Sequence, residues 1–304
     1  MENNCYFVSS RGLLKSCTFH SKNPISSCNS DKTYLIQMVM SNNMFNGMSI
    51  YVCSDLLKFF VNIILPKIKN NFTLVSGDSD LIVPKEILSI HEFNYLLNNT
   101  YLSKWFAQNM ILNENYKINK IIQIPIGLDY HTICNDPNNK LKKNNEHHLP
   151  KEQEQILMDI RNIMKPFYDR ECKIYVNFSM SNDRFGQRNQ SLSQIPYDLL
   201  VKHNDFIKRT DNWNNIIKYS FVLSPYGNGM DCHRTWESIC LGSIPIVLAP
   251  NFKHMFKDLP VLIVNNWSDI TDKLLNDTIE EYKTKTFNYD KITLSYWVKL
   301  INNL

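Results

Sequence analysis

Residues 221–249, FVLSPYGNGMDCHRTWESICLGSIPIVLA, read as strand, glycine loop, helix and second strand in one short span. The apolar run Phe221 to Leu223 enters the loop Ser224-Pro225-Tyr226-Gly227-Asn228-Gly229. A helix opens near Asp231 and stops at Gly242, a natural C-terminal glycine, before the β-branched run Ile244 to Val247. Asp231, His233, Arg234 and Glu237 crowd the helix start. Such a loop beside a helix N-terminus suits an anion, because backbone N–H groups can point at it and the helix dipole favours negative charge.

Working outward, the same alternation recurs on both sides. Cys5 to Ser9, Ser49 to Cys53, Phe72 to Val75 and Lys120 to Ile126 read as strands. Asp55 is placed to cap a helix carrying Leu56, Phe59, Phe60, Ile63 and Ile64 on one face, and two helical stretches fall within 84–99. Residues 135–155 are the most polar stretch and the linker candidate. Beyond it come a helix through Ile156, Ile160, Ile163 and Phe167, a strand Lys173 to Phe178, and a loop Ser179 to Gln190 holding Arg184 and Arg188. A helix near 196–203, a strand Asp205 to Arg209 and a helix near 211–218 lead into the opening unit. Then follow a strand Val261 to Val264, a helix capped by Ser268, and an amphipathic helix from about Tyr289 to Asn302. Strands alternating with helices predict parallel sheets of βαβ units. The expected fold class is α/β, with two Rossmann-like domains facing a central cleft: residues 1–145, residues 146–286, and a C-terminal helix in 287–304 packing back on the first domain.

Composition removes several function classes. The net charge of +4 comes with no dominant basic block, so no nucleic-acid partner is expected. The most apolar span, Leu56 to Leu65, is broken by Lys58 and Asn62 and is too short to span a bilayer. The start MENNCYFVSS has neither the basic region nor the apolar core of a secretory signal, so a cytoplasmic, soluble protein is expected. The eight cysteines form no CxxC pair; Cys5, Cys17 and Cys28 cluster near the N-terminus, where a disulfide or metal role is conceivable, but spacing gives no zinc motif. The richness in asparagine, lysine and isoleucine fits an AT-rich genome, such as that of a large DNA virus or a protist.

The charges at the helix start have two readings. Asp231–Arg234 and His233–Glu237 pairs would lace an ordinary surface helix. With Gly227 and Gly229 just before them, a ligand site is favoured: Arg234 would neutralise a diphosphate with its fork of donors, and Glu237 would accept from ribose hydroxyls. The loop lacks the GK[ST] ending of a P-loop and the third glycine of GxGxxG, so neither nucleoside-triphosphate hydrolysis nor dinucleotide redox chemistry is supported. His233 and Glu237 have metal-ligand spacing but no third partner nearby, so no metal is expected.

The string SPYGNGMDCHRTWESICLGSIPIV resembles the donor-domain signature of exostosin-like glycosyltransferases and their bacterial and viral relatives, in which a D-x-H-R-x-W-E helix precedes a G-x-I-P-I-V strand. Asp231, His233, Arg234, Trp236, Glu237, Gly242, Ile244, Pro245, Ile246 and Val247 match it. YVNFSMSNDR (175–184) and DLPVLIVNNWSDIT (258–271) look similar too, and GDSD (77–80), WFAQN (105–109) and PIGLDY (125–130) match more loosely. The resemblance implies the two-Rossmann GT-B architecture and transfer of a sugar from a nucleotide-sugar donor, UDP-linked, to a hydroxyl of a glycan or glycoprotein acceptor, inverting and without a metal. It places the donor on Arg184, Arg188, Ser224, Gly227, Gly229, Asp231, His233, Arg234 and Glu237, with Arg234 first for the diphosphate. Inversion needs a base, for which Asp80 after the strand Phe72 to Val75 is the first candidate, with Asp78 and Asp129 competing. Other readings are a nucleotide-sugar epimerase or phosphorylase, or a catalytically silent glycan- or protein-binding module.

Overall fold

Nine short strands, every adjacent pair parallel, form two separate sheets in the computed structural model, which describes residues 2–22, 31–41, 43–111, 119–135, 148–203, 207–248 and 253–302. The first sheet holds β1 (Met48–Cys53), β2 (Phe72–Gly77), β3 (Leu102–Ala107) and β4 (Ile121–Gln123) in that order. The second holds β5 (Glu171–Val176), β6 (Leu200–Lys202), β7 (Tyr219–Leu223), β8 (Ile244–Val247) and β9 (Leu262–Ile263), ordered β6-β5-β7-β8-β9. Each belongs to its own compact unit: one comprises Glu2–Asn4, Val8–Ile126 and the segment from Thr293, the other Cys5–Phe7 and Gly127–Ile292. Both units are Rossmann-like α/β structures.

In the first unit the sheet is covered on both faces, which is why β1 and β2 are buried along their whole length, Ser49, Thr73 and Ser76 included. Ile50, Val52, Leu74 and Trp105 join a core with Phe60, Val61, Ile64, Phe93 and Leu96. Tyr51, Cys53, Val75 and Phe106 join another with Leu13 and Leu14 of the helix Ser10–Ser16 and with Leu294, Trp297 and Ile301 of the helix Leu294–Asn302.

The second unit explains its own site. Relative to chain order its strands run 2-1-3-4-5, so winding reverses between β5 and β7. In a doubly wound sheet ligands bind outside the carboxyl ends of the strands at that reversal. The loop after β7 leads to the helix His233–Cys240, whose C-terminus is closed by Gly242 at φ 71°. Gly242 N–H donates to the Ile239 carbonyl and Ser243 N–H to the Ser238 carbonyl, at 3.1 and 2.9 Å, a Schellman motif. Arg170 adds bonds to the Leu241 carbonyl at 2.9 Å and to Ser243 Oγ at 2.8 Å, and Arg161 donates to the Cys240 carbonyl. Two cations thus sit at the negative end of this helix.

Several expected elements shift. Cys5 to Ser9 forms no strand, and the helix Ser10–Ser16 starts instead, capped by Ser9. Asp55 lies inside a 3₁₀ turn, Ser54–Leu56, rather than at a helix cap. The following helical segment buries Leu57, Phe60, Val61, Ile64 and Leu65 while Ile63 is 46% exposed, so its inner face is turned from the expected one. In 84–99 only Ile90–Leu97 is helical, and its Ser89–Glu92 capping box fixes the start. The helix Pro150–Ile163 likewise buries Leu157 and Ile160 and exposes Ile163, and ends before Phe167. The stretch near 196–203 holds β6, and a helix starts at Arg209, where a strand was expected to end; 204–206 are outside the described residues, as are Cys28 and the central part of the polar stretch, 136–147. Thr271, not Ser268, caps the helix Asp272–Thr284 through the Leu274 amide. Among the described residues no helix is long and apolar enough to cross a membrane.

The rotated face gives a direct test. Leu57→Ala is expected to cost about 2–5 kcal/mol in urea unfolding, and Ile63→Ala less than about 1 kcal/mol.

Candidate functional site

At the winding reversal, the loop leaving β5 carries Asn177, Phe178 and Ser179, and the loop leaving β7 carries Ser224 to Gly229. Two guanidinium groups meet around Phe178. Arg234, second residue of the helix His233–Cys240, lies 5.0 Å from the ring centroid and donates from Nε to the Asn177 carbonyl at 3.3 Å. Arg188, on the helix Gln187–Gln194, lies 5.4 Å from the same ring. It donates from Nη1 to the Ser179 carbonyl and from Nε to the Tyr226 carbonyl, the latter at 3.3 Å. The two arginines are therefore hung on main-chain carbonyls, both within reach of one phenyl ring.

Neither guanidinium forms an ion pair with a carboxylate among the described residues. Arg188 is 6% exposed, and Arg234 Nη1 is buried with no hydrogen-bond partner. Burial pushes the Arg234 guanidinium down to about 10; Cys232 and Glu237 pull the other way, and the like charge of Arg188 adds to the push. Arg188 is lowered by burial as well. Both remain cations at neutral pH, and a buried unpaired donor on a cation is costly unless an anion meets it.

The loop after β7 serves this pair. Ser224 extends the sheet by donating its N–H to the Ile246 carbonyl at 2.9 Å, and its hydroxyl bonds Thr235 Oγ1 at 2.8 Å, tying loop to helix. Gly227 leaves room for Arg188: a Cβ there would sit 2.6 Å from Arg188 Nη2 and displace the guanidinium. Its N–H is engaged by the Gly229 carbonyl at 3.0 Å, so this amide braces the loop. Asp231 is 4% exposed and accepts the buried Trp236 indole N–H on both oxygens, at 2.9 and 3.0 Å, fixing the entry to the helix. The N-terminal residue of the cap, Cys232, supplies no side-chain bond to the helix amides. Glu237 is 8% exposed, one turn in from Arg234. Arg184 takes a different course: it is exposed and lies over Phe185, with 5.2 Å to the ring centroid.

His233 belongs to a second cluster. Its Nδ1 lies 2.7 Å from the Gly127 carbonyl, an acceptor only, so Nδ1 carries the proton when the ring is neutral. Its ring is 6.1 Å from that of His131. Asp129 lies between this histidine and Arg209, with Oδ1 3.2 Å from His131 Nδ1 and 3.0 Å from the Thr132 N–H, and Oδ2 3.1 Å from Arg209 Nη2. Burial disfavours its charge, but His131, Arg209, His233 and the Thr132 bond outweigh it and hold the carboxyl well below the usual range. His131 and Arg209 escaped sequence reasoning: Arg209 joins Asp129 across 80 positions, and nothing local signals that contact.

The first unit holds Asp80 and Asp78. Asp80 is exposed in the turn after β2. Asp78 is 9% exposed at φ 53°, accepts from Ser10 Oγ at 3.4 Å and faces Arg11 Nε at 3.8 Å. Among the described residues no three His, Cys, Asp or Glu side chains are grouped to hold a metal ion.

No protein-family model matches the chain, and no curated protein matches it. Among solved structures, an alpha1,3-fucosyltransferase is similar over 95% of this chain and 95% of its own, at 12% identity and TM-score 0.35. A structure described as trehalose-6-phosphate from E. coli bound with UDP-2-fluoro glucose is similar over 90% of this chain and 72% of its own, at 9% identity and TM-score 0.38. A GtfA/B complex is similar over 90% of this chain and 57% of its own, at 13% identity and TM-score 0.31.

The Asp129 cluster predicts an acid-sensitive fold. Its folded pKa lies below the unfolded value of about 3.9, so its stabilisation is complete above that value and lost as pH falls through the folded pKa. Asp129→Asn is expected to cost about 3 kcal/mol at neutral pH, and to flatten the acid limb of stability measured by urea midpoints between about pH 6 and pH 3.

Proposed function

We propose that the chain is a glycosyltransferase that moves a sugar from a nucleotide-sugar donor to a hydroxyl of a glycan or glycoprotein. The observation that carries this is the pair Arg188 and Arg234 about Phe178 at the winding reversal, Arg188 buried and Arg234 Nη1 buried without a partner, with no carboxylate partner for either among the described residues. The sequence resemblance to exostosin-like enzymes of the GT-B plan supports it independently, because that signature spans the same helix.

In this reading the donor diphosphate lies against the two guanidiniums and the N-terminal amides of the helix His233–Cys240. As the sugar–oxygen bond breaks, charge grows on the leaving diphosphate, and prealigned donors stabilise it most at that moment. The two arginines and the helix end supply that charge without a metal or other cofactor. Glu237, buried one turn further in, accepts from the ribose hydroxyls of a UDP-linked donor. Ser224, Gly227 and Asp231 hold the loop and helix entry in register, and His233 borders the sugar side. Arg184, on the exposed turn before Arg188, meets the outer edge of the donor. Acceptor attack from the opposite face inverts the anomeric centre.

Calorimetric titration with UDP and GDP tests the site. Arg234→Ala and Arg188→Ala are each expected to raise the nucleoside-diphosphate Kd about 10- to 100-fold, the worth of one charge-assisted bond. Glu237→Ala is expected to weaken it about 10-fold. Unchanged affinity in both arginine variants would remove the donor assignment; binding without turnover of any UDP- or GDP-linked sugar would identify a silent binding module.

A further inference from the structure

We propose that the carboxyl edge of the first sheet holds a binding site for an uncharged saccharide, with Arg11 and Asp78 gripping its hydroxyl groups. The inference goes beyond the donor assignment and stands without it, because its residues and its test lie within the first unit.

Asp78 follows directly on β2 and takes a left-handed backbone, φ 53°, which an aspartate tolerates better than most side chains. The turn is tightly held. Asp78 N–H donates to Gln108 Oε1 at 2.7 Å, and Gln108 Nε2 donates to the Pro125 carbonyl at 3.0 Å. A Cβ on the preceding Gly77 would lie 2.3 Å from Gln108 Oε1 and 2.8 Å from the Tyr51 hydroxyl, so that hydroxyl sits against the same turn. Burial pushes the Tyr51 phenol up, and the charge of Asp78 adds to the push. Ser10 and Arg11, the first residues of the helix Ser10–Ser16, complete the cluster. Ser10 Oγ donates to Asp78 Oδ1 at 3.4 Å, and Arg11 Nε stands 3.8 Å from Oδ2, beyond hydrogen-bond reach.

Three polar atoms here are buried and meet no partner: Arg11 Nε, Asp78 Oδ2 and the Tyr51 hydroxyl. Nearby buried groups are paired, Trp105 Nε1 with Ser76 Oγ and Asn109 Nδ2 with the Ser79 carbonyl, each at 2.9 Å, so the deficit is local. Unmet buried polar groups oppose folding until something meets them. The side chains of Arg11 and Asp78 keep 7% and 8% exposure, which puts the pair just under the surface.

The donor and acceptor inventory names the ligand. A guanidinium only donates, a carboxylate only accepts, and a phenol does either. An anion that met Arg11 would be repelled by Asp78, and a cation that met Asp78 would be repelled by Arg11. A hydroxyl donates and accepts at once. Two neighbouring hydroxyls of a sugar ring can therefore accept from Arg11 and donate to Asp78. Because those two side chains are not hydrogen-bonded to each other, such a ligand breaks no bond between them.

The test titrates the full chain, without nucleotide, with the methyl glycosides of glucose, mannose and galactose, and with glucuronate and glucosamine as charged comparators. Saturation-transfer NMR reads binding, and the arginine Nε–H resonances read its place. A neutral glycoside is expected to bind more tightly than either charged sugar and to move the Arg11 Nε–H signal. Asp78→Asn and Arg11→Gln should each weaken it about 10-fold or more, the worth of one hydrogen bond to a charged group. Their opposite effects on charged sugars are what a merely structural role would not produce. Asp78→Asn leaves Arg11 unbalanced and should turn the preference to glucuronate, whereas Arg11→Gln should turn it to glucosamine. The site is overturned by no glycoside binding at tens of millimolar, by an unmoved Arg11 signal, by a preference of the unmodified chain for a charged sugar, or by equal loss of all sugars in both variants. The Arg11 signal is read in the unmodified chain, so a variant that fails to fold does not stop the test. UDP and GDP binding is measured separately: its absence removes the donor assignment and leaves this site standing.

Discussion

Two like charges held against one phenyl ring, with no carboxylate partner among the described residues, form the constraint around which the second unit is arranged. Repulsion and desolvation both oppose such a pair, and each shows in the lowered guanidinium of Arg234. What holds it is the carbonyl of Asn177 for Arg234 and those of Ser179 and Tyr226 for Arg188. These dipoles satisfy some of the donors and leave Arg234 Nη1 waiting for an acceptor. If the pair holds an anion as proposed, ligand binding and local stability are coupled.

The placement of that pair follows from topology. Because β6 lies outside β5 and β7 continues on the other side, the loops after β5 and β7 diverge and open a crevice at their carboxyl ends. Phe178 comes from one loop and Gly227 from the other, and the glycine leaves the space in which the Arg188 guanidinium sits. The helix that follows is anchored unevenly. Its C-terminus is closed by a Schellman turn and two arginines, and its N-terminus has no side-chain cap, with Asp231 occupied by Trp236. The end proposed to meet the donor is thus the end without a side-chain cap.

The sequence was most legible where one residue type has one physical meaning. Gly242 does end the helix, and the run from Phe221 and the run to Val247 do form adjacent strands, since buried parallel strands read as continuous apolar segments. Phase was harder. Leu56-Leu57, Phe59-Phe60 and Ile63-Ile64 come as neighbouring pairs, so either member fits a helical stripe, and packing chose Leu57, Phe60 and Ile64. β3 went unread because Ser103 and Lys104 interrupt its apolar run at the one stretch where it is not fully buried. Within the site, spacing brought Arg234 and Glu237 together, but Arg184 and Arg188 looked alike, and only the fold sends one inward and the other to the surface. The link from Asp129 to Arg209 is wholly tertiary and has no local trace.

The carbonyl anchors of the two arginines are indifferent to the side chains that bear them. Positions 177, 179 and 226 can change identity while their backbone oxygens keep the same grip, provided glycine remains at 227. On the proposed reading, retention of the anion and choice of the group attached to it are therefore separable traits. A lineage could then retune those three side chains without disturbing the placement of the two guanidiniums, and directed evolution of this chain has its safest starting library there.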